Sequence, residues 1–265
     1  MGDLERLADD VRRADTVVAF TGAGISAPSG VPTFRGDDGV WERFDERQFA
    51  YGRFQRDPEG FWEDRVELQR TMFDGDFEPN TAHEALAAMG RDGDLEAILT
   101  QNTDGLHGEA AAVGGETNDA EPNTARDTDP TVLELHGNSQ RVRCTDCGNR
   151  RDGDPIFERA ADGDLPPTCD CGGVFKPDVV LFGEQLPGAV IQRARSLARE
   201  SDVFLAIGSS LVVEPAASLP RLAASTGATV GILNLESTPV DGIADIVSRE
   251  DVTDSLPRLR DLVLE

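Results

Sequence analysis

The sequence predicts an α/β fold, a doubly wound parallel sheet with a smaller inserted module. Three observations lead there. Apolar, β-branched runs of strand length alternate with segments of helical period. The first such run ends in a glycine corner, Gly22-Ala23-Gly24. Two stretches, 36–80 and 139–176, break the alternation; the first carries most of the aromatic residues and the second all the cysteines. Strands joined by helical crossovers pair parallel, with helices on both faces of the sheet.

In chain order, TVVAFTGAG (16–24) reads as a buried strand. PNTAHEALAAMGRDG (79–93) reads as a helix with Ala85, Leu86 and Met89 on one face and glycine near its end. LEAILTQN (95–102) and TVLELHG (131–137) are the next strands, and PDVVLFGE (177–184) is strand-like. LPGAVIQRARSLARESD (186–202) has helical spacing, and DVFLAIGSS (202–210) is a strand ending in small residues. EPAASLPRLAASTG (214–227) is helical with an interruption at Pro220, ATVGILNLE (228–236) is a strand, and 252–264 a terminal helix. Residues 114–130 are polar and nearly free of large apolar groups, which predicts a solvated, mobile loop. The expected division is 1–35, 81–138 and 185–265 for a Rossmann-like domain. Residues 36–80 would form the helical part of the small domain, and 139–184 its cysteine-bearing part.

Charge sets limits on function. There are 50 acidic against 25 basic residues, a net charge of −25, and every basic residue is arginine except Lys176. Such a surface repels nucleic acid and anionic lipid, and could attract basic peptides. The acids are spread along the chain rather than gathered in a tail, which favours adaptation to high salt. No apolar run approaches the roughly 20 residues of a membrane span. The acidic start MGDLERLADD lacks the layout of a signal peptide, and Arg6 stands where a myristoylation signal needs Ser or Thr. A cytoplasmic location is the expectation.

Gly22-Ala23-Gly24-Ile25-Ser26-Ala27 fits G-x-G-x-x-G/A directly after a strand. Such glycines let backbone N–H groups approach a pyrophosphate. A long helix should follow, but Pro28, Gly30 and Pro32 interrupt it. The stretch reads instead as a loop over a bound nucleotide, with Phe34 covering a planar ring and Arg35 pairing with phosphate. The alternative is an ordinary surface loop with Phe34 in the core. Gln101, Asn102, Asp104 and His136 end two of the strands, at what is the ligand edge of a doubly wound sheet. His83 reads as a packing or surface residue of its helix, and His107 as a helper at the start of the helix after TQNTD.

The cysteines are Cys144-x2-Cys147 and Cys169-x-Cys171. In a cytosolic chain this pattern points to zinc rather than disulfides, and four thiolates make a closed, structural site. The C-x-C half is tighter than usual, while Gly148, Gly172 and Gly173 suit metal knuckles.

Together, GAGISAPSGVPTFR, TQNTDGLH (100–107), LELHG (133–137), the cysteine pairs, KPDVVLFGE (176–184), GSSLVVEPAA (208–217) and NLE (234–236) resemble the sirtuins. These Sir2-family enzymes are NAD-dependent protein-lysine deacylases. The resemblance runs from about Asp15 to Val252 and suggests a salt-adapted prokaryotic member. It implies that an acyl-lysine carbonyl oxygen attacks the nicotinamide ribose and that nicotinamide leaves. His136 then serves as general base for a ribose hydroxyl. The products are nicotinamide, O-acyl-ADP-ribose and free lysine.

The resemblance also implies that Asn102 holds the ribose and nearby water and Asp104 the carboxamide. Ala23, Phe34 and Arg35 would line the nicotinamide and phosphate side, with Gly22, Gly24, Ser26, Thr33 and Gln101 completing that part of the NAD site. Gly208, Ser209 and Ser210 would meet phosphate or ribose, Asn234, Leu235 and Glu236 the adenosine, and Val252 the adenine. Val180, Phe182 and Gly183 would pair with an extended acyl-lysine peptide. Cys144, Cys147, Cys169 and Cys171 would hold one structural zinc.

The chain departs from the family in the tight Cys169-x-Cys171 spacing and at two further positions. Thr103 stands where Ile or Val is usual, and Lys176 where Arg is common. Arg65 and Leu68 occupy the place of a Tyr-x-x-Arg pair that marks preference for acidic acyl groups, so acetyl or other neutral acyl groups are expected. The rival readings are mono-ADP-ribosyl transfer to protein, a nucleic-acid-binding zinc module, and a non-catalytic NAD sensor. The oligomeric state is left open.

Overall fold

Val17–Thr21 (β1) is apolar up to its last residue and buried at every position, as a strand covered on both faces must be. In the computed structural model, which describes residues 2–34, 39–73, 75–113 and 130–265, β1 lies inside a six-stranded sheet. Its neighbours are Ala97–Thr100 (β2) and, beyond that, Thr131–Glu134 (β3) on one side. On the other lie Val203–Ile207 (β7), Thr229–Leu233 (β8) and Ile246–Ser248 (β9). The order is β3-β2-β1-β7-β8-β9 and every pair is parallel. The winding reverses between β1 and β7, so their C-terminal ends open a crevice there.

Helices cover both faces. Asp3–Arg13 (α1), Thr81–Asp92 (α4) and Val252–Leu264 (α9) bury Leu4, Leu7, Leu86, Met89, Leu256 and Leu259 with Ala19 and Leu205 of the sheet. Gly188–Glu200 (α7) and Leu219–Thr226 (α8) bury Leu197, Leu219 and Ala223 with Phe20 and Phe204 on the opposite face. Leu106–Val113 (α5) follows β2. The doubly wound parallel sheet is thus the observed architecture.

The two irregular stretches pack together into a separate apolar cluster. Tyr51–Arg56 (α2) and Pro58–Phe73 (α3) meet a small antiparallel sheet, order β5-β4-β6, made of Gly137–Cys144 (β4), Arg150–Asp152 (β5) and Phe175–Val179 (β6). Asp154–Ala161 (α6) completes it. Trp62 of α3 is fully buried, and its Nε1–H donates to the Phe175 carbonyl of β6 at 2.8 Å.

Several elements differ from the sequence reading. TVLELHG is not one strand: β3 ends at Glu134, and Gly137, at φ +79, turns the chain into β4. A Cβ at Gly137 would sit 2.0 Å from the Asp178 carbonyl oxygen, so only glycine fits. PDVVLFGE contributes only its start to β6; further on, Phe182 makes an isolated bridge with Ala50. Pro220 does not interrupt a helix, because it sits in the first turn of α8, where its missing N–H is harmless. The segment read as a mobile loop falls, over 114–129, outside the described residues, as does Arg35. Among the described residues no helix is long and apolar enough to cross a membrane.

Candidate active site

The glycine corner is shaped by the strand beside it. Gly22 N–H donates to the Ile207 carbonyl at 3.0 Å and Gly24 N–H to the Gly208 carbonyl at 2.8 Å. A Cβ on Gly24 would lie 2.8 Å from Gly208 Cα, and one on Gly208, at φ +58, 2.5 Å from Ile25 N. The ends of β1 and β7 therefore interlock backbone against backbone. Two 3-10 turns, Ala23–Ile25 and Ala27–Ser29, replace the long helix and end at Gly30.

The polar residues at the ends of β1, β2 and β7 join across this corner. Asn102 Nδ2 donates to the Gly22 carbonyl at 3.2 Å and to Ser26 Oγ at 3.0 Å. Gln101 Nε2 donates to Ser209 Oγ at 2.8 Å. His136 Nδ1 lies 3.0 Å from the Gln101 carbonyl oxygen. A carbonyl only accepts, so Nδ1 carries the proton, and in the neutral ring Nε2 carries the lone pair. The His136 carbonyl in turn accepts the Val180 N–H at 2.8 Å.

Asp104 is buried, and burial raises its carboxyl above the usual range, partly offset by the Leu106 N–H and the Ser26 hydroxyl. A narrow cleft is lined by Ala23, Ser26, Phe34, Asn102, Thr103 and Asp104, with Met72 and Phe73 of α3. Phe34 is half-buried and stacks on Trp41 at 5.6 Å, so it belongs both to the cleft wall and to the aromatic cluster.

The remaining candidates spread along the same sheet edge. Gly208 N–H reaches the Leu233 carbonyl at 2.9 Å; Ser209 is buried and Ser210 exposed. Asn234 Nδ2 donates to the Glu236 carbonyl at 2.8 Å, while Leu235 is 64% exposed at the end of β8. Val252 is buried at the start of α9, and the Thr33 carbonyl accepts the Val40 N–H at 3.0 Å. Val180 and Phe182 are half-buried and Gly183 exposed, with Phe182 edge-on to Trp41 at 5.1 Å.

Of the two remaining histidines, His107 departs from the sequence reading. His83 takes the packing rather than the surface role that the sequence allowed it. It is fully buried, its Nδ1 accepts the Asn80 N–H at 3.3 Å, and its Nε2 lies 3.3 Å from Ser26 Oγ. His107 does not serve the start of α5, because the Asp104 carboxylate accepts the Leu106 N–H there at 3.0 Å. His107 instead turns inward, its Nε2 2.9 Å from Thr21 Oγ1. Burial holds His83 down at about 4, and burial together with His83 holds His107 well below the ordinary imidazole range. His83 could have been found from sequence, since 83, 86, 87 and 90 form one helical stripe. No periodic signal marks His107.

Behind Thr103 lies a second polar chain. Arg65 is buried on α3, donates to Gln69 Oε1 at 3.0 Å and Ser139 Oγ at 3.5 Å, and lies 5.7 Å over the Phe157 ring. Ser139 Oγ donates to Thr103 Oγ1 at 2.9 Å. Burial lowers the Arg65 guanidinium to about 10. Lys176 Nζ sits between the Val179 carbonyl at 2.6 Å and Glu184 Oε2 at 3.0 Å.

The four cysteines converge despite the tight C-x-C spacing. Their Sγ atoms all lie within 4.8 Å of one another, with Cys144–Cys171 at 3.5 Å and Cys147–Cys169 at 3.8 Å. A tetrahedral Zn–S4 centre has sulfur–sulfur edges of roughly 3.8 Å, so the donor set fits one structural zinc and leaves no open position. Backbone N–H groups, that of Cys147 first, draw the Cys144 thiol down to about 7, while Cys171, despite the Gly173 N–H, is pushed up by the neighbouring thiols.

Comparison with known proteins places this geometry. The Sir2 family profile matches residues 22–215. An NAD-dependent protein deacetylase of Haloarcula marismortui is 52% identical, over 97% of this chain and 93% of that protein. A solved Sir2 enzyme superposes with a TM-score of 0.80 at 38% identity, covering 99% of this chain and 98% of that one. A Sir2 structure with a p53 peptide and NAD+ gives a TM-score of 0.79 at 31% identity, covering 98% of each chain. By family profile, sequence and fold, the chain belongs to the Sir2 family.

Proposed function

We propose that this chain is an NAD-dependent protein-lysine deacetylase that releases nicotinamide, O-acyl-ADP-ribose and free lysine. One observation carries the reading: His136, with Nδ1–H on the Gln101 carbonyl, stands at the same strand edge as the Gly22–Gly24 corner and the Asn102–Ser26–Asp104 group. NAD supplies the glycosidic bond to nicotinamide, whose cleavage drives acyl transfer from lysine to ADP-ribose.

His136 Nε2 takes a proton from a ribose hydroxyl, and the Gln101 carbonyl steadies the imidazolium that forms. Asn102 positions ribose and water, and Asp104 accepts from the carboxamide of nicotinamide. Gly22, Ala23, Gly24, Ser26, Thr33, Phe34, Arg35 and Gln101 surround the nicotinamide and phosphate side. Gly208, Ser209 and Ser210 serve phosphate or ribose. Asn234, Leu235, Glu236 and Val252 enclose the adenosine. Val180, Phe182 and Gly183 offer an extended edge to the acyl-lysine peptide. Cys144, Cys147, Cys169 and Cys171 hold zinc, which keeps the small sheet folded and takes no part in the chemistry.

On this reading residues 1–35, 81–138 and 185–265 form the NAD-binding domain, and 36–80 with 139–184 the small domain. The net charge of −25 supports a salt-adapted cytoplasmic enzyme that does not bind nucleic acid. The test is mass spectrometry of an acyl-peptide panel with NAD in molar salt. Deacylated peptide together with O-acyl-ADP-ribose is expected, and ADP-ribosylated peptide without deacylation would overturn the reading. His136→Ala should abolish turnover while NAD binding stays measurable.

A further inference from the structure

The reaction as derived makes no use of His107. This ring is 3% exposed, and its Nδ1 is buried with no hydrogen-bond partner among the described residues. A buried polar atom left unpaired weakens a fold, and an apolar ring of similar shape would avoid that loss. Packing alone therefore does not account for a histidine here.

Its two contacts suggest another account. On one side, Nε2 meets Thr21 Oγ1 at 2.9 Å. Thr21 is the last residue of β1, immediately before Gly22, and its carbonyl accepts the Gln101 N–H at 3.0 Å. On the other side, the ring lies 4.8 Å from the His83 ring at 63°, an edge-to-face contact. His83 Nδ1 accepts from Asn80, so Nε2–H is left to donate to Ser26 Oγ. Ser26 Oγ also accepts from Asn102, which leaves its own hydrogen for the Asp104 carboxylate.

We propose that His107 is a positioning residue for the cofactor pocket. It holds the end of β1 through Thr21 and the His83 ring through edge-to-face contact, and so fixes the Ser26 hydroxyl against Asn102 and Asp104. The proposal rests on the NAD-dependent reading above.

The test replaces both buried partners together, Thr21→Val with His107→Phe. Removing both polar groups while keeping their shapes leaves no orphan and spares the fold. The melting temperature should hold or rise. The Kd for NAD, read by calorimetry, should rise about tenfold, the scale of one well-placed hydrogen bond. kcat/KM for NAD should fall by about as much, with KM for the acyl peptide within about twofold. In a Ser26→Ala background the same pair of changes should alter NAD binding less than about twofold, because the group being positioned is gone. Unchanged NAD binding in the folded variant overturns the proposal, and so does an equal loss in the Ser26→Ala background. A wild-type chain that binds NAD but yields no deacylated peptide defeats the functional reading instead, and leaves the NAD-binding comparison in force.

Discussion

Asp104, His83 and His107 are ionisable groups that are largely or fully buried, and each makes stability depend on pH. Asp104 has a raised carboxyl, so the folded state is penalised wherever the unfolded Asp is ionised, above its ordinary value near 4. Asp104→Asn should therefore melt higher than wild type at pH 7, with the difference vanishing below about pH 4, while NAD-dependent turnover falls. His83 and His107 are depressed, so the unfolded chain takes up protons that the native rings refuse. Stability is complete above the ordinary imidazole value of 6.5 and is lost as pH falls toward about 4, by up to about 3 kcal/mol for His83. A flat melting temperature between pH 7 and 4.5 would contradict this. Thr103 extends the series: its hydroxyl is supplied by Ser139 and lines the cleft beside Asp104. On the proposed function, in which nicotinamide occupies this cleft, Thr103→Val should weaken nicotinamide binding by about two- to tenfold, and Thr103→Ser should restore it.

Elements that bury both faces were the ones legible in sequence. β1, β2, β7 and β8 are unbroken apolar runs, and each ends in the small or polar residues that form the site. β4, GNSQRVRC, is mostly polar with neighbouring Asn138 and Ser139 both buried, so no strand period marks it; it is set by its partners β5 and β6. β9 is three residues long, too short for any period to register. The helix α1 carries a local signal too, since Leu4, Leu7, Ala8 and Val11 hold a helical spacing among acidic residues. At the site, the glycine corner, the strand-end polar residues and the cysteines were legible from local chemistry. His107 was not, since its contact with Thr21 spans 86 residues of chain; for His83 the helical stripe marks the burial, but not the Ser26 contact 57 residues away. The zinc ribbon and α3 form a unit that zinc should govern. Chelation should lower the melting temperature and expose Trp62, with activity returning on zinc readdition. Trp62→Phe should cost about 1–3 kcal/mol, since it orphans the buried Phe175 carbonyl that now receives the indole N–H at 2.8 Å.

For the whole molecule the dominant quantity is charge. A net charge of −25 on 265 residues repels itself at low ionic strength, and screening over roughly 10 Å at 0.1 M shortens to about 3 Å at 1 M. The melting temperature should climb between 0.1 M and 2 M KCl, and a fall over that range would rule out salt adaptation. The same composition leaves a single lysine, Lys176 of β6, whose ammonium is clasped by Glu184 and the Val179 carbonyl. A protein whose chemistry acts on modified amines thus carries one side-chain amine, mostly covered and ion-paired. Amine-directed labels, crosslinkers and stray acyl donors should therefore react slowly at Lys176.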